Sequence, residues 1–216
     1  MQNSGQINLL NVHCLLIDLD DTLYPQNSGV WDMIGQRMNQ FLVEVKDFPL
    51  EEVPQLRQRL WHQYGTTLRG LEVEYSVERD FFLDYVHDVP LENALKFDPN
   101  LDQILSRLPQ RKVIFTNAHA EHARRVLNLL GVTHHFEDII DIYAMSPYCK
   151  PEVEAFQKTL TMVDEPPEHC LLIDDSPRNL ETAQLLGMQT LSVGKHHHDH
   201  SPHIDTIHGL AKINID

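Results

Sequence analysis

Residues 12–24 read VHCLLIDLDDTLY and place three aspartates directly after a short apolar run. Residues 12–17 show no polar alternation, which is typical of a strand buried on both faces of a parallel sheet. Ligand sites of open α/β sheets lie just outside the carboxyl ends of the strands. The stretch therefore predicts an α/β fold with Asp18 and Asp20 beside a functional crevice. The alternative is that Asp18, Asp20 and Asp21 are ordinary turn or helix-capping acids.

The size and charge of the chain narrow its class. It has 216 residues, 42% of them apolar, which gives room for one domain of ordinary size and a small accessory one. No run approaches the roughly 20 apolar residues of a membrane-spanning helix, and residues 1–6, MQNSGQ, lack a signal-peptide pattern. We expect a soluble, cytoplasmic protein with no membrane partner. The net charge of −15 argues against binding a nucleic acid polymer, because such binding depends on Lys and Arg.

The three cysteines, Cys14, Cys149 and Cys170, form no CxxC pair. Their odd number predicts neither a disulfide framework nor a structural zinc site. Cys14 and Cys170 lie inside apolar runs, where a thiol behaves as a small hydrophobic group. We interpret all three as reduced.

Hydrophobic periodicity divides the chain into two parts. Apolar residues recur at helical spacing in residues 29–47, 50–64 and 76–87, with no strand pattern among them. The rest of the chain alternates between strands and helices, which requires a parallel sheet with helices on both faces. The predicted fold is a Rossmann-like α/β sheet with an all-helical insertion after its first strand. Strands are predicted at 12–17, 112–115, 139–142, 170–173 and 189–193, and helices at 101–108, 120–130, 152–162 and 179–186.

Three later positions in the α/β part also carry polar side chains at the predicted sheet edge. Thr116 and Asn117 follow the second strand, just before a helix whose first N–H groups suit phosphate oxygens. Lys150 precedes another helix, and Asp174 and Asp175 follow the fourth strand. Each has an alternative interpretation, as a helix cap, a solvated lysine or turn acids. The two acidic pairs would repel one another unless a cation compensated them, and Mg²⁺ fits best because it takes one or two carboxylates and phosphate oxygens.

In this order the four clusters resemble the motifs of the haloacid dehalogenase superfamily of phosphatases. DLDDTLYP supplies Asp18, Asp20 and Thr22 of the first motif, and the later clusters supply the other three. The resemblance implies that Asp18 is the nucleophile and Asp20 the general acid and base. It implies that Thr116, Asn117 and Lys150 bind the phosphoryl group. It also implies that Mg²⁺ would be held by Asp18, the backbone carbonyl of Asp20 and Asp175, with Asp174 nearby.

The resemblance also implies a domain organisation. Residues 1–22 and 97–216 would form the α/β core, and residues 23–96 a helical cap that closes over the active site. A helical appendage packed elsewhere is the alternative. The activity implied is hydrolysis of phosphoric monoesters.

Within the superfamily the chain resembles the pyrimidine 5′-nucleotidase-like group, which implies a nucleoside monophosphate as the small phosphorylated partner. A phosphatase for another metabolite, such as a sugar phosphate, and a catalytically silent ligand- or partner-binding relative remain as alternatives. A haloacid dehalogenase would not need a proton donor at Asp20. Residues 50–63 match the pattern of this group only loosely, and the pattern has no counterpart for the His-rich residues 195–203. The similar segments are YGTTLRGL (64–71), VPLENALKFDPNL (89–101), IFTNAHAEHARRVLNLLGVTHHFEDII (114–140), CKPEVEAFQKTL (149–160) and LLIDDSPRNLETAQLLGM (171–188).

Two further features of the sequence are Arg69 and a His-rich segment near the end of the sequence. Arg69 is predicted to lie on a short stretch between cap helices, flanked by Gly65 and Gly70, where its guanidinium could bind a base or ribose. A solvated or cap-stabilising arginine is the alternative. Residues 195–203, KHHHDHSPH, are interpreted as a surface loop with adventitious metal affinity.

Overall fold

The computed structural model describes residues 9–195 and 201–213. Its core is a six-stranded sheet in the order β3-β2-β1-β4-β5-β6, with every neighbouring pair parallel. The predicted Rossmann-like α/β fold is confirmed. The strands are β1 Cys14–Ile17, β2 Arg111–Phe115, β3 Asp138–Ile140, β4 Cys170–Asp174, β5 Gln189–Val193 and β6 His203–Ile204.

Helices account for most of the remaining described residues. Short 3₁₀ turns connect several of them, and a π-helical segment, Phe41–Val45, follows α1 directly. The α-helices are α1 Val30–Gln40, α2 Val53–Tyr64, α3 Thr67–Tyr75, α4 Arg79–His87, α5 Pro99–Arg107, α6 Ala120–Leu130, α7 Ile142–Met145, α8 Val153–Val163 and α9 Pro177–Leu185. None of the described helices is long and apolar enough to cross a membrane.

Burial explains why β1 shows no polar alternation. None of its four residues is more than 1% exposed, so both faces of the strand are covered. Cys14 and Leu16 belong to a core with Phe115 of β2, Phe156 of α8 and Leu180 of α9. A central parallel strand with two covered faces must be apolar throughout.

The chain divides into two compact units, Gly29–Ala94 and the rest of the described chain. The unit Gly29–Ala94 contains α1 to α4. The ring of Phe41 packs edge-on against Phe82 at 5.0 Å and against Tyr85 at 5.4 Å, between ring centroids. Aromatic contacts of this kind stabilise beyond the area they bury.

Some predicted elements had wrong boundaries, and some observed elements were not predicted. The third strand was predicted to reach residue 142, but Asp141 caps α7 by accepting from the backbone N–H groups of Tyr143 and Ala144. Helix α3 was not predicted, and Ser76 ends it in a left-handed conformation (φ 52°) rather than beginning the next helix. Strand β6 and the 3₁₀ segment Ile207–Lys212 were also missed.

Candidate active site

The register of the sheet brings three strand ends together. Ile17 lies beside Ile114 of β2 on one side and Ile173 of β4 on the other. Because the strands are parallel, the residues after these positions share one edge of the sheet. Asp18 and Asp174 are thereby neighbours, 8% and 0% exposed.

Lys150 is the cation of this cluster, and it is 2% exposed. Its ammonium donates to Asp18 Oδ1 at 2.7 Å, to Asp174 Oδ2 at 2.9 Å and to the carbonyl oxygen of Phe115 at 2.8 Å. Three contacts use the three N–H groups of an ammonium. Burial by itself would lower the pKa of Lys150, but the carboxylates of Asp174 and Asp18 outweigh it and raise the pKa. The lysine is therefore charged and fixed against Asp18.

Asp18 combines burial with crowding by other acids. Burial raises its pKa well above the ordinary value, Lys150 opposes this, and Asp174 and Asp175 add repulsion. The ionised form of Asp18 thus depends on compensation by positive charge.

Asp174 is surrounded by donors. Besides Lys150, it accepts from the side-chain amide of Asn179, 3.0 Å from each carboxylate oxygen, and from the backbone N–H of Ser176 at 2.9 Å. Asn179 lies on α9 and was not predicted as a site residue, although its position five residues after Asp174 is compatible with one helical turn beyond the strand end. These contacts satisfy both oxygens of Asp174 and orient it towards Lys150.

Asp175 has a different environment. Its contact with a donor is a long one, from the Gln26 side chain at 3.4 Å. Burial, together with repulsion from Asp174 and Asp21, raises the pKa of Asp175 to about 7. A bound cation would offset the repulsion from the neighbouring acids, so Asp175 is a candidate cation ligand.

The donor set at this edge fits a hard divalent cation. Asp18, Asp174 and Asp175 each offer a carboxylate oxygen, and the three oxygens lie within 4.8 Å of one another. Ligand oxygens of an octahedral Mg²⁺ lie about 3.0 Å apart when adjacent and about 4.2 Å apart when opposite, given bonds of about 2.1 Å. Three carboxylates facing one ammonium also leave negative charge that a divalent cation would compensate.

Asp20 lies two residues after Asp18 and is held by two side chains. The Tyr24 hydroxyl donates to its Oδ1 at 2.5 Å, and Nε2 of His122 lies 2.9 Å from the same oxygen. His122, in the first turn of α6, was not singled out in the sequence. Its helical position was predictable, but no pattern linked it to a residue 102 positions earlier.

Thr116 and Asn117 lie where β2 ends. The Thr116 side-chain oxygen accepts from the backbone N–H of Ala118 at 3.0 Å. Asn117 pairs with the backbone of Lys150 in both directions, donating to its carbonyl at 2.9 Å and accepting from its N–H at 2.9 Å. The Asn117 side chain therefore anchors the segment that carries Lys150. Thr22 is 1% exposed, and its hydroxyl makes no hydrogen bond within the described residues.

Arg69 does not lie on a stretch between helices, as the sequence had suggested. It lies in the first turn of α3, where its N–H donates to the capping side chain of Thr66 at 3.0 Å. Its guanidinium lies 3.7 Å from Glu72, which also pairs with Arg79 at 2.7 Å. Gly65 ends α2 with φ 86°, so the helix predicted over residues 50–64 does end there.

Part of the His-rich segment lies outside the described residues, namely 196–200. His203 is described and belongs to β6, where its Nδ1 lies 3.3 Å from the hydroxyl of Ser192.

Comparison with known proteins places the chain among related sequences and folds. A family model described as haloacid dehalogenase-like hydrolase matches residues 12–187. Phosphate metabolism protein 8 of Saccharomyces cerevisiae is 26% identical over 188 residues, which cover 79% of this chain and 58% of the yeast protein. This chain therefore spans little more than half the length of that relative.

Two solved structures share the fold. One is a predicted phosphoglycolate phosphatase from Haemophilus somnus, with a TM-score of 0.64 and 17% identity over 95% of this chain and 99% of that one. The other is YfnB of Bacillus subtilis bound to magnesium, with a TM-score of 0.62 and 20% identity over 94% and 98% of the two chains. At these identities the likeness concerns the fold.

Proposed function

This chain belongs to the haloacid dehalogenase-like hydrolases, and we propose that within them it is a Mg²⁺-dependent phosphomonoesterase that works through an aspartyl-phosphate. The observation that carries the proposal is the contact of buried Asp18 with the Lys150 ammonium at 2.7 Å. A second acid, Asp20, follows two residues later and is held at the same edge of the sheet. We propose Asp18 as the nucleophile and Asp20 as the proton carrier.

The first half of the reaction transfers the phosphoryl group to the protein. A carboxylate oxygen of Asp18 attacks phosphorus, and the bond from phosphorus to the ester oxygen breaks. Asp20 gives its proton to the departing oxygen, so the leaving group departs as an alcohol. Lys150 keeps Asp18 oriented and offsets the repulsion between two anions.

The second half regenerates the protein. Asp20, now ionised, takes a proton from a water molecule as that water attacks the phosphorus of the aspartyl-phosphate. The bond between phosphorus and the Asp18 oxygen breaks, which releases inorganic phosphate and restores both carboxyl groups.

The cation would be held by Asp18, the backbone carbonyl of Asp20, and Asp175. When bound, Mg²⁺ supplies charge compensation between the nucleophile and the phosphate. Asp174 is the weaker candidate for direct ligation because Lys150, Asn179 and Ser176 already occupy its oxygens. It is better suited to holding Lys150.

Phosphoryl oxygens would be bound by the edge formed after β2. The hydroxyl of Thr116 and the backbone N–H of Asn117 would be the donors of this edge, and the Lys150 ammonium would contribute its positive charge. The side chain of Asn117 contributes through Lys150, since its amide is engaged with the Lys150 backbone.

For the substrate, we propose a pyrimidine nucleoside 5′-monophosphate, read by the helical unit Gly29–Ala94 acting as a cap. The similarity of residues 64–71 and 89–101 to the pyrimidine 5′-nucleotidase-like group supports this. A phosphatase identity is supported by the printed descriptions of relatives, a phosphate metabolism protein and a predicted phosphoglycolate phosphatase. Another small phosphomonoester, such as a sugar phosphate, is the competing substrate class.

The test is a panel of phosphomonoesters assayed for phosphate release by the purified protein with Mg²⁺ and with a chelator. The panel holds UMP, CMP, AMP, glucose 6-phosphate, phosphoglycolate and p-nitrophenyl phosphate. We expect turnover of the aryl ester, and higher kcat/KM for UMP and CMP than for the rest. Preference for a sugar phosphate would refute the nucleotide assignment alone. Failure to turn over any member would refute the phosphatase assignment.

A further inference from the structure

His122 makes a contact that the motifs do not explain. Its side chain is 0% exposed, and its Nε2 lies 2.9 Å from Oδ1 of Asp20. The other buried side chains along α6, among them Ala123 and Val126, are apolar. Burying an imidazole costs free energy unless its polar atoms are hydrogen-bonded. A leucine would fill the same place in a purely structural helix face.

Tyr24 approaches the same oxygen from a different part of the chain. It is 1% exposed, and its hydroxyl donates to Oδ1 of Asp20 at 2.5 Å. Two donors on one oxygen fix the plane of the carboxyl group. They also occupy the lone pairs of Oδ1. The proton that Asp20 exchanges with leaving group and water is thereby directed to Oδ2.

The position of His122 in its helix is compatible with a donor role. It lies in the first turn of α6, where its own N–H is held by His119 Nδ1 at 2.9 Å. With a proton on Nε2, the ring donates to the Asp20 carboxylate across this 2.9 Å contact.

We infer that His122, with Tyr24, is a positioning residue for the acid and base Asp20, holding Oδ1 so that Oδ2 faces the reacting oxygen. This inference rests on the proposed phosphatase function. The inference also names the step that these residues support, which is proton transfer from Asp20 to the leaving group. A basic leaving group needs this proton more than one that departs as a stable anion.

The experiment compares two aryl esters of similar shape in the full chain with Mg²⁺. Phenyl phosphate releases a phenol with a pKa of about 10, as in tyrosine, whereas the nitro group of p-nitrophenyl phosphate stabilises the departing phenolate. The variants are His122→Leu, His122→Gln and Tyr24→Phe. The quantity measured is kcat/KM, which covers the reaction up to departure of the phenol and excludes the later hydrolysis.

We expect His122→Leu to lower kcat/KM for phenyl phosphate by about 10- to 100-fold, and for p-nitrophenyl phosphate by less than about threefold. Glutamine can donate from a similar place, so His122→Gln should restore at least half of the lost activity on a logarithmic scale. Tyr24→Phe should show the same dependence on the leaving group. If His122→Leu does not fold, Tyr24→Phe is the variant that tests the inference.

Equal losses on both esters in His122→Leu and Tyr24→Phe would overturn the inference, and so would a glutamine variant as impaired as the leucine one. In either case turnover by the parent protein leaves the phosphatase assignment standing. No turnover of either ester by the parent would instead refute the phosphatase function, and the inference with it.

Discussion

Asn117 shows how the role of a single residue changes once its partners are known. Its residue type after β2 predicted a phosphate contact, but its amide bonds both backbone groups of Lys150 at 2.9 Å. Sequence spacing cannot reveal this contact, because the partners are 33 residues apart. The sequence pattern selected Asn117 as a candidate, but the contacts that its side chain makes depend on the tertiary structure.

Replacing Asn117 by alanine should therefore act through Lys150. Two lost hydrogen bonds at about 0.5–1.5 kcal/mol each predict a loss of roughly 1–3 kcal/mol in the free energy of unfolding. We also expect kcat on p-nitrophenyl phosphate to fall at least about tenfold, as Lys150 loses its orientation. Urea denaturation and steady-state kinetics measure both effects. The matched control is Asn128→Ala, an exposed position on α6 with one side-chain contact to Thr133, and should change neither quantity much. If Asn117→Ala behaves like this control, the anchoring role is wrong.

Residue patterns predicted the acids of the site but not the groups that hold them. Asp18, Asp20, Asp174 and Asp175 follow apolar strands, and a strand end is visible in the sequence. His122 and Asn179 lie inside helical patterns that hydrophobic packing already explains, so nothing in their surroundings singled them out. Distance in space, which the sequence does not contain, identifies them.

At the scale of elements, the packing of α2 against α3 depends on Gly70. A Cβ built there would lie 2.6 Å from Leu60 Cδ2 and 2.9 Å from Tyr64 Cδ2. The glycine thus permits close contact of two helices, although in the sequence it flanked a stretch predicted to lie between helices. This is why α3 was missed: a local pattern cannot distinguish a packing glycine from a helix-breaking one.

A pair of glycine variants tests this explanation. Gly70→Ala should destabilise by about 1–3 kcal/mol, as expected for overpacking. Gly35→Ala, within α1, meets nothing nearer than Arg57 at 3.8 Å. It should be neutral or stabilise by up to about 1 kcal/mol, because alanine is the better helix former. Chemical denaturation of both variants provides the comparison. Equal stability of the two would refute the packing role of Gly70.

Arg69 lies on α3, and its proposed role in binding the nucleoside can be tested by substitution. Arg69→Ala should lower kcat/KM for UMP or CMP by roughly 10- to 100-fold, or about 1–3 kcal/mol, as expected when one polar contact to the nucleoside is lost. The kcat/KM for p-nitrophenyl phosphate, which has no nucleoside, should change little. Arg59→Ala is the control within the same unit, since it removes the exposed pair with Glu74. Equal losses on both substrates would indicate that Arg69 acts through Glu72 on helix stability. No loss on either would exclude it from substrate binding.

At the scale of the whole molecule, the sheet could be predicted because its central strands are apolar throughout and alternate with helices. The parallel register then determines which strand ends meet, so four motifs far apart in sequence imply one site. The short strand β6 could not be predicted, since two residues, His203 and Ile204, carry no periodicity.

The carboxylate cluster predicts that the proposed activity depends on a divalent cation. Protein freed of metal by a chelator should be inactive and should recover with Mg²⁺. Ca²⁺ should restore little, because the larger ion takes more oxygen ligands at longer distances and would engage both oxygens of the nucleophile. Initial rates on p-nitrophenyl phosphate with each ion measure this. Full activity in chelator, or equal rates with the two ions, would contradict the proposed role of Asp18 and Asp175.

In the proposed mechanism, Asp18 carries the phosphoryl group during turnover. The direct measurement is to quench the protein during turnover of p-nitrophenyl phosphate, reduce it with borohydride and map its peptides by mass spectrometry, because reduction converts an aspartyl-phosphate to homoserine. We predict homoserine at position 18 and at no other aspartate. The Asp18→Asn variant should fold with an unchanged thermal midpoint, lose turnover by more than about 10³-fold and give no homoserine. Turnover by the parent without homoserine at position 18, or comparable turnover by Asp18→Asn, would contradict the account.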